Sequence, residues 1–365
     1  MKRLAVLISF SGEGGVERMV FNLVAEFARQ PGLAVDLVLL RDNSQHLGTL
    51  PDNVNVVRLG VRHSGLAAPA IARYLSRVRP DALLAAKDRA GRAALLARRL
   101  AGVSTRIVIR LGTTLSEAIK DKPAWVRWLR YRPMRRSYPR AERIVAVSQG
   151  VADDVMAITG LPAERIRVIR NPVITGGLTV QAEAPVDHPW FDPGGVPVVL
   201  GLGRLTRQKD FPTLVRAFAR VRSQRNLRLV ILGEGRDRAD LLALANELGV
   251  GADLSLPGFQ ANPYAWLARS RLFVLSSRWE GSPNALTEAL ALGVPVVSTD
   301  CPSGPRELLE GGRHGPLVPV GDAEALAQAM QQVLDAPPAP ESLRAAVAEY
   351  RADLSARRYL ETLGL

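Results

Sequence analysis

Along the first half of the chain, short apolar runs of strand length alternate with longer stretches in which apolar residues recur every three or four positions. The strand-like runs are residues 3–9 (RLAVLIS), 34–40 (AVDLVLL), 53–59 (NVNVVRL), 81–86 (DALLAA), 105–111 (TRIVIRL), 143–148 (RIVAVS) and 165–171 (RIRVIRN). Helical spacing fills the gaps from Val16 to Gln30, from about Leu66, from about Ala90 and from near Gln149. The rhythm resumes with VPVVLGLGRL, LRLVILGEG at 227–235, LSLPGF ending at Phe259, and Leu272–Ser276. Such alternation predicts an α/β chain with parallel, doubly wound sheets. Between the two series lie Pro172, Gly176, Gly177, Pro185, Pro189, Pro193, Gly194 and Gly195, a composition that predicts neither helix nor buried strand. The expected organisation is therefore two Rossmann-like domains, 1–171 and 197–340, joined by a linker at 172–196. A tail at 341–365 returns to helix, apolar at Leu343, Val347, Tyr350, Leu354 and Leu360.

Ligands of doubly wound sheets sit beyond the carboxyl ends of the strands, and the sequence places chemistry there. After Leu272–Ser276 comes a polar loop and then helical spacing from Pro283 to Gly293. Ser282 is placed as N-cap with Pro283 at the first helical position, so the amides of Asn284 and its neighbours form an anion-attracting helix start. Asn284 and Glu288 share a helix face, and Glu280 stands in the loop before them, so two carboxylates flank a phosphate-ready concavity. Acidic residues in this position also serve as ordinary caps. Arg204 and Lys209 precede a helix that Pro212 opens, where fixed cations suit a diphosphate. In the first domain, Gly12, Gly14 and Gly15 form a glycine-rich turn before Glu17 and Arg18, without the spacing of a dinucleotide fingerprint. Strand ends there nominate Lys87, Asp88, Arg89 and Arg110 for an acceptor side, and the same residues also suit plain surface charge.

Composition narrows the picture. The 365 residues suit two domains, and the one cysteine, Cys301, excludes disulfides within the chain and multi-cysteine zinc sites. His46, His63, His188 and His314 show no ligand spacing, so no metal is expected. The opening MKRLAVLISFSGEGG reads as a first strand rather than a leader, and no run approaches the ~20 apolar residues of a membrane span. Net charge is +13, but residues 1–180 hold 29 Lys+Arg against 14 Asp+Glu while the remainder holds 19 against 21. The basic half implies an anionic partner. Its densest stretch, residues 120–143, carries nine basic and two acidic side chains with Trp125, Trp128, Tyr131 and Tyr138. Trp125 and Trp128 with Arg127, Arg130, Arg135 and Arg136 suit a helix lying on an anionic membrane. Single-stranded nucleic acid would use the same ingredients, and so would a solvated helix whose aromatics enter the core. Pro133 and Pro139 are expected to limit any continuous helix.

The string EGSPNALTEALALGVPVVSTD, from Glu280 to Asp300, resembles the donor-site signature of retaining nucleotide-sugar glycosyltransferases of the GT-B fold, family 4 (the group 1 family). The likeness continues through DCPSGPRELL to Leu309 and GPLVPVGD to Asp322, and GRL-x-x-QKD at Gly203–Asp210 resembles the family's phosphate-binding stretch. The resemblance implies that Glu288 holds the ribose hydroxyls and Arg204 and Lys209 the diphosphate. It implies that Glu280, with Gly281, Ser282, Pro283, Asn284 and Ala285, engages the donor sugar, Glu280, Arg204 and Lys209 being the catalytic set. A GG-x-ER string carries Gly15 over as a donor contact, and Gly235 and Phe259 as neighbours of the base. Many members place a histidine after the equivalent of Arg110, where this chain has Leu111, Gly112, Thr113 and Thr114. The implied fold is two domains facing across a cleft, with a final helix crossing back to the first. The implied activity moves a hexose or N-acetylhexosamine, with a UDP-sugar favoured as donor, to a hydroxyl of a lipid-linked glycan or lipopolysaccharide-type acceptor with retained configuration. It needs no cofactor, metal or nucleic-acid partner, and it places the protein in the cytoplasm, against the inner face of the membrane. A GT-B epimerase or phosphorylase, or a non-catalytic binding protein, is the alternative.

Overall fold

The computed structural model describes residues 1–9, 15–41, 50–61 and 67–365. The chain divides into two units, Met1–Val173 with Tyr350–Leu365, and Ile174–Glu349.

In the first unit, β1 (Lys2–Ile8), β2 (Leu33–Leu39), β3 (Val54–Arg58), β4 (Ala82–Ala85), β5 (Arg106–Leu111), β6 (Arg143–Ala146) and β7 (Ile166–Val168) form one sheet in the order β3-β2-β1-β4-β5-β6-β7. Every neighbouring pair is parallel. Because successive strand side chains point to opposite faces, Leu4, Val6 and Ile8 enter one core, with Phe27 and Tyr359, while Ala5 and Leu7 enter the other, with Ile71 and Leu95. Each fully buried large apolar side chain contributes roughly 2 kcal/mol. That two-faced burial is why the strands read as unbroken apolar runs.

The tail is not one helix. Pro340–Ala345 stays in the second unit with Leu343 buried, a 3-10 turn spans Ala348–Tyr350, and Ala352–Leu363 lies against the Gly15–Ala28 helix of the first unit. The Val173 amide donates to the Tyr350 carbonyl at 3.0 Å and the Ser355 hydroxyl to that of Arg170 at 2.9 Å, so the departing and returning segments run side by side.

In the second unit, β8 (Val198–Leu202), β9 (Arg228–Leu232), β10 (Leu254–Gly258), β11 (Leu272–Leu275), β12 (Val296–Thr299) and β13 (Leu317–Val318) lie in the order β10-β9-β8-β11-β12-β13, all parallel. In both sheets strand order reverses once the first three strands are laid down. The reversal falls between β1 and β4 in one unit and between β8 and β11 in the other. Loops leaving adjacent strands there run in opposite directions and open a crevice.

Two expectations are corrected. Residues 174–196 are no linker but part of the second unit: Leu178–Glu183 is a helix against Pro263–Arg269, and Pro189–Phe191 is a 3-10 turn. His188 Nε2 reaches Ser255 Oγ of edge strand β10 at 3.0 Å, and Arg228 stacks over Trp190, so this segment helps cover a sheet edge. Prolines and glycines punctuated the pattern, and the packing came from side chains between them. The second correction is that helix Ala124–Ser137 runs through Pro133. Proline there removes the bond to the Leu129 carbonyl and its ring crowds that carbonyl, and Leu129 lies on the open side of the helix, 52 % exposed, where the backbone has room to adjust.

Candidate donor site

The loops after β8 and β11 flank the reversal of the second sheet, and Arg204, Lys209 and Glu280 all stand on them. Glu280 is 6 % exposed, and its Oε1 accepts from the Lys209 ammonium at 2.6 Å and from the Ser277 hydroxyl at 2.7 Å. Ser277 is held in turn by its carbonyl, which accepts from Thr299 Oγ1 at 2.6 Å. A carboxylate this buried requires a cation or several donors, and here it has both.

Lys209 is aimed by packing. A Cβ on Gly203 would lie 2.8 Å from Lys209 Cε and 3.1 Å from Cγ, so the lysine stem crosses the bare face of that glycine. Arg204, the next residue, is exposed. The glycine turns after β8 and β9 meet backbone to backbone: a Cβ on Gly235 would stand 2.2 Å from the Leu205 carbonyl oxygen, and Leu205 N donates to Glu234 O at 2.9 Å. Gly235 therefore serves close approach between loops. Phe259, just past β10, is 38 % exposed.

The helix after Glu280 differs from expectation in one respect. It spans Asn284–Ala291 with Pro283, not Ser282, at the N-cap, and no side chain caps it. The Ser282 hydroxyl is buried without a hydrogen-bond partner among the described residues. First-turn amides have no acceptor inside their own helix, so this uncapped start keeps its affinity for anions. The loop after β12 roofs it: Ser303 Oγ donates to Gly281 O at 3.1 Å, and Gly304, at φ 92°, passes so close that a Cβ would lie 2.7 Å from Pro283 Cδ. Ala285 stands in the first helical turn and Glu288, 5 % exposed, one turn beyond Asn284. Cys301 is near enough to Glu280 to feel its charge. Burial first, and that carboxylate second, push its thiol up to about 12, so it is no nucleophile at neutral pH.

The sequence reading passed over Ser277, Gln208, Asp210 and Arg278. Gln208 Nε2 donates to Trp279 O at 2.9 Å and the Arg278 amide to Gln208 O at 2.8 Å, stitching the two loops together. The visible signal was a polar pair, Ser276–Ser277, directly after an apolar strand.

In the first unit fewer of the described residues gather at the reversal point. Lys87 Nζ donates to Ser9 O at 2.9 Å, tying the loop after β4 to the end of β1, and Arg89 is exposed. Asp88 accepts from Arg92 Nε and the Tyr138 hydroxyl, both at 2.9 Å, with Arg130 at 3.8 Å. Arg110, nominated for the acceptor side, is 3 % exposed and donates to Asn171 Oδ1 at 2.7 Å. Burial lowers its pKa, and the Tyr359 hydroxyl stands close enough to perturb it while falling outside hydrogen-bonding geometry. Arg110 thus ties β5 to Asn171 and is buried beside the returning helix, closed off from solvent. Gly12 and Gly14 lie outside the described residues, and Gly15 is the first residue of the Gly15–Ala28 helix. Among the described residues no three His, Cys, Asp or Glu gather as a metal site, and no helix is long and apolar enough to cross a membrane.

Of the 120–143 stretch, Trp125, Trp128 and Leu129 are half-exposed or more, Arg127 and Arg136 are exposed, and Arg132 stacks over Trp128 at 4.9 Å. Met134 and Tyr138 are buried, and Arg135 Nε donates to Ile158 O at 2.6 Å. The cluster is therefore split between a packed side and an open one.

Parallel double winding, with a cation–carboxylate pair and an uncapped helix start at the chain reversal, defines an α/β class of protein suited to an anionic ligand at that reversal. Residues 13–176 match the family Glycosyltransferase Family 4 and residues 196–336 match Glycosyl transferases group 1, together most of the chain. The chain belongs to this glycosyltransferase family. It is 37 % identical to the lipopolysaccharide core biosynthesis glycosyltransferase LpsE of Rhizobium meliloti over 60 % of each chain. It is 29 % identical, over 92 % of this chain and 91 % of the relative, to the N-acetylgalactosamine-N,N'-diacetylbacillosaminyl-diphospho-undecaprenol 4-alpha-N-acetylgalactosaminyltransferase of Campylobacter jejuni. The solved lipopolysaccharide outer core galactosyltransferase WaaB superposes over 100 % of this chain and 99 % of its own, with a TM-score of 0.74 and 22 % identity. Anabaena HepE, solved with UDP and glucose, covers 100 % of both chains at 0.78 and 17 %. These likenesses show the GT-B fold.

Proposed function

We propose that the protein transfers a hexose or N-acetylhexosamine from a UDP-sugar to a hydroxyl of a lipid-linked or lipopolysaccharide-type glycan, with retained anomeric configuration and without a metal. The observation that carries this reading is the Lys209–Glu280–Ser277 cluster beside Arg204 and the Asn284 helix start. As the glycosidic bond breaks, the departing diphosphate gains negative charge, and Arg204, Lys209 and the helix amides stabilise it where it forms. Lys209 reaches the diphosphate by giving up part of its contact with Glu280, whose Oε1 retains the Ser277 hydroxyl. Glu280 is then the carboxylate beside the sugar, and Glu288 the one beside the ribose. The UDP found with HepE, the lipopolysaccharide and undecaprenol substrates in the relatives' names, and the α-linkage formed by the Campylobacter enzyme support base, acceptor class and stereochemistry.

The open side of Ala124–Ser137 supports docking of the first unit on an anionic membrane at its cytoplasmic face, where such acceptors are anchored. The test is a screen of nucleotide sugars for thermal stabilisation, followed by transfer assays with the hits on lipid-linked glycans. Transfer to an acceptor hydroxyl with the donor's anomeric configuration is expected. Turnover of the donor only by epimerisation would overturn the proposal.

A further inference from the structure

We infer that Asp210 and Arg278 are positioning residues that aim the Lys209 ammonium at the diphosphate. This rests on the reading of Lys209 given above.

A lysine is a flexible stem with a point charge at its tip, so its usefulness depends on what fixes the stem and backbone. Here the backbone is clamped on both sides. Lys209 N donates to Thr206 O at 2.9 Å, and its carbonyl accepts from the Ser276 hydroxyl at 2.8 Å. The next residue, Asp210, is held left-handed at φ 48° and ψ 45°, uncommon for a residue with a side chain.

Asp210 also declines its ordinary role. It occupies the N-cap of the Phe211–Arg222 helix, where aspartate normally accepts from a first-turn amide, yet it makes no such bond. Its Oδ2 accepts instead from Thr213 Oγ1 at 3.0 Å and from Arg278 Nη1 at 3.2 Å. Arg278 stands on the opposite loop, two residues before Glu280, and the two bonds of Gln208 run beside it. A strained backbone and a forgone cap, both at the residue following Lys209, persist where the surroundings over-determine them. What they determine is the height and direction at which the Lys209 stem crosses Gly203 toward Glu280.

The Arg278 side chain is 41 % exposed, so its pair with Asp210 is screened and adds little to stability. A purely structural role would leave Arg278→Met close to wild type in every respect. Positioning gives a different pattern: melting unchanged within about 2 °C, donor KM changed little, kcat lowered about tenfold or more, and most of the loss recovered in Arg278→Lys. Asp210→Asn should behave like Arg278→Met. The deciding measurement repeats Arg278→Met in a Lys209→Ala background. A residue that acts through Lys209 costs nothing further there, and equal fold-losses in both backgrounds would overturn the inference whatever the melting temperature does. Turnover of Arg278→Met and Asp210→Asn within twofold of wild type, with Lys209→Ala slowed about a hundredfold or more but still measurable, would also overturn it. Full activity of Lys209→Ala itself would instead overturn the donor-site reading.

Discussion

Replacing Glu280 by glutamine separates chemistry from architecture at this site. The glutamine has the same shape, and its carbonyl oxygen still accepts from the Ser277 hydroxyl and the Lys209 ammonium, which stand 2.7 and 2.6 Å from Glu280 Oε1. What disappears is one negative charge. The pair is partly buried, with side chains 18 % and 9 % exposed; the carboxylate's desolvation is no longer needed, and the remaining Lys209 ammonium keeps a neutral acceptor and its own partial access to water, which limits the cost of leaving it without a counter-charge. The net change in stability should be about 1 kcal/mol, a fall of about 2–4 °C in melting temperature. Turnover should respond more strongly, because a carboxylate at the reacting sugar interacts with charge that exists only as the bond breaks. Removal of one oriented electrostatic partner costs about 3 kcal/mol or more, roughly 150-fold in kcat. The assay follows released nucleoside diphosphate and transferred sugar, alongside calorimetric melting. Turnover within about fivefold of wild type at an unchanged melting temperature would refute the assignment. A fall of more than about 10 °C would make Glu280 chiefly a structural ion-pair partner.

Three further outcomes are expected. Arg204→Ala combined with Lys209→Ala should lose more turnover than donor affinity, by about 3 kcal/mol or more; activity lost to a chelator and restored by magnesium would contradict the metal-free scheme. Because Arg130 faces Asp88 and Arg135 bonds the Ile158 carbonyl, the docking test uses Arg127→Gln, Arg136→Gln, Trp125→Ala and Trp128→Ala together. That variant should leave anionic vesicles at salt where wild type still sediments, with donor binding intact; co-sedimentation equal to wild type would place the docking surface elsewhere. Cys301, pushed from 9.0 to about 12 chiefly by burial, stays protonated in the fold after it ionises in the unfolded chain. Its contribution to stability is therefore full below about pH 9 and is lost as pH rises toward 12, and iodoacetamide at pH 8 should label only unfolded protein; rapid labelling of the native chain would refute this.

Most of the fold was legible because parallel strands buried on two faces leave unbroken apolar runs, and crossover helices leave a different period between them. Legibility failed where the period carried no information. Residues 172–196 read as a linker because Pro185, Pro189, Pro193, Gly194 and Gly195 interrupt any repeat, although His188 and Phe191 pack onto Trp266, His188 reaches β10, and Trp190 lies under Arg228. Single aromatics anchored between turns have no periodicity to detect. The tail failed for the opposite reason. Its apolar steps from Leu343 to Leu360 suit one helix, yet Leu343 is buried in one unit and Tyr359 in the other, and apolar spacing does not say which core receives a side chain.

The site divides along the same line. Glu280, Glu288, Arg204 and Lys209 could be proposed from the sequence because each sits at the end of a strand or the start of a helix, positions a one-dimensional pattern can locate. Contacts made across the sheet reversal were not, since β8 and β11 are neighbours in space but separated in sequence by β9 and β10. The 2.6 Å contact of Lys209 with Glu280 spans 71 residues, as does that of Gln208 with Trp279. Arg110 shows the converse error: its position at a strand end was read correctly, and its burial against Asn171 and Tyr359 depended on a segment some 250 residues later in the chain. What else in the chain returns to a charged residue at the carboxyl end of a strand is thus invisible to its local pattern. In the first unit the final helix returns beside β5, and in the second the loop after β12 roofs the Asn284 helix start while Arg204 stays exposed. Cover alone does not separate the two, since Glu280 and Glu288 are nearly as buried as Arg110; the pairing of Glu280 with Lys209 beside an uncapped helix start is what supports the proposed donor chemistry at the second unit's reversal.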